Sequence, residues 1–136
     1  MADRASIEKI IRDAYAARAA KDLDAIARIF KPDGVFHLAG SPATFPGAAR
    51  AEGEAQLRTS LSSLIQAFDF LEQTLLTSVI EDNKAAMHWR LKVKHNSSGK
   101  TFVTEVLDLW TIDGGRVASL LQFCDTALVA SFMVGA

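Results

Sequence analysis

The chain has 136 residues, with 15 Lys and Arg against 16 Asp and Glu and a net charge of -1, so it is expected to form one domain with no global attraction to nucleic acid or acidic lipid. Its apolar share of 49% and lone cysteine, Cys124, exclude disorder and an internal disulfide. No stretch approaches the roughly 20 apolar residues of a bilayer span, and Met1-Ala2-Asp3-Arg4 has no apolar leader character, so a cytoplasmic single domain over residues 1–136 is expected.

The first segment reads as a helix. Ile7, Ile10, Ile11, Ala14 and Tyr15 fall on one stripe, with Ser6 as the candidate cap. Asp22 caps a second, shorter helix whose apolar face is Leu23, Ile26, Ala27 and Phe30. Pro32 ends it, and Asp33-Gly34 turns the chain into a short strand, Val35 to Ala39. Residues 40–53 hold Gly40, Pro42, Pro46, Gly47 and Gly53 and read as a long loop of the kind that lids a site. A third helix is expected from Glu54 to Phe68, with Leu57, Leu61, Leu64, Ile65 and Phe68 on its stripe.

After Asp69 the period switches to two. Four strands are expected, separated by Glu81-Asp82-Asn83, Asn96-Ser97-Ser98-Gly99 and Asp113-Gly114-Gly115. Met87, Trp89, Leu91 and Val93 alternate with His88, Arg90, Lys92 and Lys94, which gives one buried and one wet face. Thr104–Ile112 and Val117–Asp125 are apolar on both faces. Helices can cover only one side, so Leu107, Leu109, Leu120 and Cys124 are expected to pack against a second copy of the chain. The layout is α-α-β-α-β-β-β-β, an α+β fold with three N-terminal helices on one face of a curved antiparallel sheet.

Four stretches in this order resemble the nuclear transport factor 2-like superfamily, in its SnoaL-like and ketosteroid-isomerase-like bacterial branch. They are Asp22-Leu23-Asp24-Ala25, Phe30-Lys31-Pro32-Asp33-Gly34, Trp110 to Val117, and Phe123-Cys124-Asp125-Thr126-Ala127. The resemblance implies a cone-like fold enclosing a pocket, a homodimer through the outer sheet face, and any of several outcomes from isomerase and cyclase to non-enzymatic binder.

Asp108 is the most informative polar residue. It sits mid-strand with Val106, Trp110 and Ile112 on its own face, where an unpaired carboxylate is costly. Its place resembles that of the steroid isomerases' oxyanion-hole aspartic acid; the alternative is the outer face beside Arg90 or Lys92. A cavity position raises its pKa and the outer position lowers it. Asp125 resembles the acid/base of SnoaL-like cyclases, with a strand-end cap as the alternative. Tyr15 falls one position from the steroid isomerases' hole tyrosine, which aligns with Ala14. Leu38 stands where those enzymes carry their catalytic carboxylate, which argues against steroid isomerisation. Val106 stands where epoxide hydrolases of this branch carry an arginine.

Asp108, Asp125 and His37 are therefore the candidate proton-handling residues. Tyr15, Trp89, Trp110, Leu38, Phe30 and Phe123 are the candidate ligand wall. The three histidines share no ligand spacing, and neither a metal site nor a cofactor is implied. The expected activity is a cofactor-independent isomerase, cyclase or lyase acting on a small, largely apolar, oxygen-bearing metabolite. A non-catalytic binder and a dimeric interaction module of the same fold are the alternatives.

Overall fold

A computed structural model describes residues 3–43 and 50–134. Helix α1 spans Arg4–Ala19 and buries Ile7, Ile11, Ala14, Tyr15 and Ala17. Its cap is Asp3, whose carboxylate accepts from the Ser6 amide at 2.8 Å; Ser6, the expected cap, is the residue being capped. Helix α2, Leu23–Ile29, starts at Asp22 as expected, with the Asp22 carboxylate accepting from the Ala25 amide. Strand β1 then runs Phe30–Leu38, so extended chain begins before Pro32 rather than after it.

Part of the expected loop, residues 44–49, lies outside the described residues. Its end, Arg50–Glu52, is a short strand β2 against β1. Helix α3, Glu54–Ala67, buries Leu57, Leu61 and Ile65. Four strands follow: β3 Phe68–Glu81, β4 Lys84–His95, β5 Thr101–Asp113 and β6 Arg116–Phe123. The β5–β6 turn needs left-handed backbone at Gly114 and Gly115, with φ of 60° and 79°, which glycine adopts without strain. Helix α4, Thr126–Val134, was not expected from the sequence.

The result is α+β, four helices with a six-stranded sheet among the described residues, in the order β2-β1-β6-β5-β4-β3. The sheet is mixed rather than antiparallel. Strand β1 pairs with β6 in parallel, Phe36 beside Leu120, because β1 reaches its neighbour by a long crossover and not by a hairpin. Strand β4 alternates as expected, with Ala85, Met87, Trp89, Leu91 and Val93 buried.

Strand β6 departs from simple alternation. Counting back from the Asp113–Arg116 pair would set Leu120 opposite Leu109 and on the outer face. A bulge at Thr111/Ile112 shifts the register by one, so Leu120 faces Trp110, Leu121 faces Leu109 and Gln122 faces Asp108. One residue of slip exchanges the two faces of a strand. Leu120 is consequently buried at 7% exposure, and Leu120 and Cys124 line the interior rather than an outer surface. The outer apolar surface is instead Val103, Leu107, Leu109 and Phe123, each more than 40% exposed. No helix among the described residues is long and apolar enough to cross a membrane.

Candidate functional site

The helices and the concave sheet face enclose a cavity of about 120 Å³. Its wall is mostly apolar: Phe30, Phe36 and Leu38 of β1, Leu61 and Leu64 of α3, and Val106, Trp110 and Leu120 of the central strands contribute. Val129 of α4 also reaches it. Polar groups enter at few places, and α1 supplies two of them, Tyr15 and Arg18, one helical turn apart.

Tyr15 is buried, with its ring stacked on Trp89 at a centroid distance of 4.0 Å. That stack fixes the phenol so that its O–H donates to Oδ2 of Asp108. Asp108 is fully buried, and its Oδ1 accepts from Nε2 of Gln122 at 2.8 Å. The same Nε2 lies 3.5 Å from the Tyr15 oxygen, which closes a three-residue network. Cross-strand pairing of Asp108 with Gln122 puts both on the inner face.

Burial pushes the Asp108 carboxyl up to about 6, against the opposing hydrogen bonds from Tyr15 and Gln122 and a weaker pull from Trp110. Desolvation therefore wins over hydrogen bonding at this site. The Tyr15 phenol is held well above its ordinary value, by burial first and then by the neighbouring Asp108 charge. It remains a neutral donor at physiological pH. A carboxyl that titrates near neutrality beside a neutral phenol is an arrangement suited to proton transfer.

Arg18 is the second polar element, and sequence reasoning passed over it. Its Nη2 donates to the backbone oxygens of Phe68 at 2.7 Å and Leu64 at 3.1 Å. Its guanidinium carbon lies 4.0 Å over the Phe70 ring. Desolvation lowers its pKa to about 10, opposed by the charge of Asp69, so it stays cationic at neutral pH. The available signal was its spacing, three residues after Tyr15 and four after Ala14, on the continuation of the α1 stripe. Gln122 was missed because the β6 bulge is invisible in the sequence.

The structure brings Asp108, Tyr15, Trp110, Phe30 and Leu38 to the cavity or its immediate wall. Trp89 stands behind Tyr15 rather than lining the space. Asp125 is exposed, and its carboxylate caps α4 by accepting from the Leu128 amide at 3.0 Å. His37 pairs with Arg50 and Leu121, on the strand parity opposite the lining residues Phe36 and Leu38. Phe123 is 44% exposed on the outer face. Asp125, His37 and Phe123 are thus corrected out of the cavity, the first because the strand ends before it and the others by alternation. Among the described residues, no three His, Cys, Asp or Glu side chains converge as metal ligands would.

The sequence matches the SnoaL-like domain family over residues 11–120. The chain also resembles a solved structure from Bacillus subtilis assigned as an isomerase, at TM-score 0.87 and 15% identity, covering 100% of this chain and 98% of that one. An isomerase assignment from Rhodopseudomonas palustris aligns at TM-score 0.81 and 15% identity over 100% of both chains. A protein from Jannaschia Sp. CCS1 assigned as a SnoaL-like polyketide cyclase aligns at TM-score 0.80 and 17% identity, covering 100% of this chain and 99% of that one. At these identities the likeness concerns the fold. No curated protein matches the chain significantly.

Proposed function

The chain belongs to the SnoaL-like domain family, and on that premise we propose that it is a cofactor-independent enzyme performing acid–base chemistry of the isomerase, cyclase or lyase type. Its substrate is a small, largely apolar metabolite bearing a carbonyl or hydroxyl oxygen. The reading rests on one observation: the buried Asp108–Tyr15–Gln122 network at the wall of an otherwise apolar cavity.

The chemistry follows from the two protonation states of Asp108. When the carboxyl is protonated it can donate to the Tyr15 oxygen, which frees the phenol O–H to point at a ligand carbonyl. That hydrogen bond stabilises the oxyanion that develops as a proton leaves the adjacent carbon. When Asp108 is ionised, Tyr15 donates to it, as in the geometry described above. The pair therefore supplies the acid half of an enolisation or an aldol-type ring closure. The proton lost from carbon passes to solvent or to an oxygen of the ligand, since the described cavity residues include no second carboxylate and no imidazole.

The test is deuterium exchange at the carbon beside the carbonyl of neutral cyclic ketones such as tetralone, followed by NMR in heavy water. Wild type should exchange faster than buffer, and Tyr15→Phe, which lacks the O–H that meets the carbonyl, should lose that catalysis while still binding the ketone. A second reading, a non-catalytic binder, is favoured by the zero exposure of Asp108. Exchange in wild type no faster than in buffer would decide for it.

The outer face supports a homodimer. Leu107 pairs across the strands with Phe123, and Leu109 with Leu121, giving a continuous apolar surface that no helix among the described residues covers. Wild type is expected to sediment as a dimer and Leu109→Lys as a monomer. A wild-type species of 14.7 kDa at micromolar concentration would overturn this assembly.

A further inference from the structure

We propose that Arg18 is a ligand-anchoring residue whose Nη1 binds an anionic oxygen, so that the cavity takes small apolar acids in preference to neutral molecules of the same shape. The inference rests on the proposed reading of the cavity as a ligand site, and it names the ligand class.

The first support is a hydrogen-bond inventory. A guanidinium carries five N–H donors. Nη2 of Arg18 is spent on the Leu64 and Phe68 carbonyls, which ties α1 to the end of α3 and the start of β3. Nη1 is buried and has no hydrogen-bond partner among the described residues. A buried donor without a partner is costly, and such groups are rare unless something else satisfies them.

The second support is charge. Among the described residues no carboxylate forms an ion pair with Arg18. Asp69, the carboxylate whose charge it feels, is already held by Lys21 at 3.0 Å and by Asn96 at 2.9 Å. The other polar lining residues, Tyr15, Thr104, Gln122 and Cys124, bring no anion of their own, and the Asp108 carboxylate behind them is already held by Tyr15 and Gln122 rather than by Arg18. Phe70 covers one face of the guanidinium, so Arg18 is positioned by a ring on one side and by carbonyls at one edge. A carboxylate or enolate oxygen that displaces the packing around Nη1 would meet a positioned, desolvated cation, where a charge-assisted hydrogen bond is strong.

Isothermal titration with cinnamate and with cinnamyl alcohol tests the proposal. Wild type should bind cinnamate at least about tenfold more tightly than the alcohol. Arg18→Gln should lose at least about tenfold in affinity for cinnamate, with the alcohol changed by less than about twofold. Equal affinities in wild type, no binding of either probe, or a cinnamate preference that survives in Arg18→Gln would each overturn it. Should the variant fail to fold, arginine side-chain NMR of the wild type decides: cinnamate must shift the Arg18 Nη resonances and the alcohol must not. The catalytic reading stands or falls separately, because its exchange assay uses neutral ketones and the Tyr15 variant.

Discussion

Tyr15 and Arg18 leave the same face of α1, line the same cavity, and meet opposite circumstances. Tyr15 is buried with its hydroxyl engaged by Asp108 and approached by Gln122. Arg18 is largely buried, with Nη2 doubly engaged and Nη1 without a hydrogen-bond partner among the described residues. Burial alone does not separate a group that belongs to an internal network from one held for a visitor; hydrogen-bond accounting does. On the functions proposed above, the first kind of site handles protons within the protein and the second kind recognises charge from outside.

The largest expected effect would break this comparison at the Tyr15 side, through Asp108. Burial raises its folded pKa from 3.8 to about 6, so the folded chain holds the proton more tightly than the unfolded chain. The stabilisation is full below about pH 3.8 and is lost as pH rises through about 6. Wild type should therefore lose roughly 3 kcal/mol relative to Asp108→Asn between those limits. Urea unfolding of both proteins across this range measures it, and parallel pH profiles would mean that Asp108 is not desolvated.

A smaller effect sharpens the comparison. Tyr15→Phe keeps the Trp89 stack and removes the O–H that lowers the Asp108 pKa. The carboxyl should then titrate above about 6, as read by carbon-detected NMR. Stability at neutral pH should fall by about 1–2 kcal/mol, since an ionised carboxylate loses one of its donors. An unmoved or lowered Asp108 titration would show that the phenol does not support the charge.

How much of this was legible depended on how local the determinant was. The α1 stripe, the Asp22 cap and the β4 alternation follow from spacing alone, because helical and strand periods fix which side chains share a face, whereas spacing left Asp108 open between the cavity and the outer face beside Arg90 or Lys92. The inner position of Leu120 and Gln122 was not legible. It depends on a bulge that reflects how two strands pair and leaves no residue signature. The parallel β1–β6 contact was hidden for a related reason, since it joins segments with no turn between them to announce it. Asp125 carried two readings, a cavity acid/base and a strand-end cap; the strand ends at Phe123 and α4 takes its carboxylate as a cap, as the second had it. Arg18 was overlooked because a charged residue at the end of an apolar stripe ordinarily faces water.

The parallel contact between β1 and β6 also has a consequence in time. Phe30 sits beside Val117, so translation must add roughly 90 residues after the first before the second exists, which at about 5–20 residues per second takes on the order of 4–20 s. Helix α1 and strand β1 pass that interval without the strand that completes their side of the sheet, with Phe30, Phe36 and Leu38 open to solvent or to a chaperone. The hairpins β3–β4 and β4–β5 need no such wait, since their partners are adjacent in the chain. Chain order thus makes the partners of the β3 edge available before the partner of β1, and the contact that completes the first strand's wall is available last.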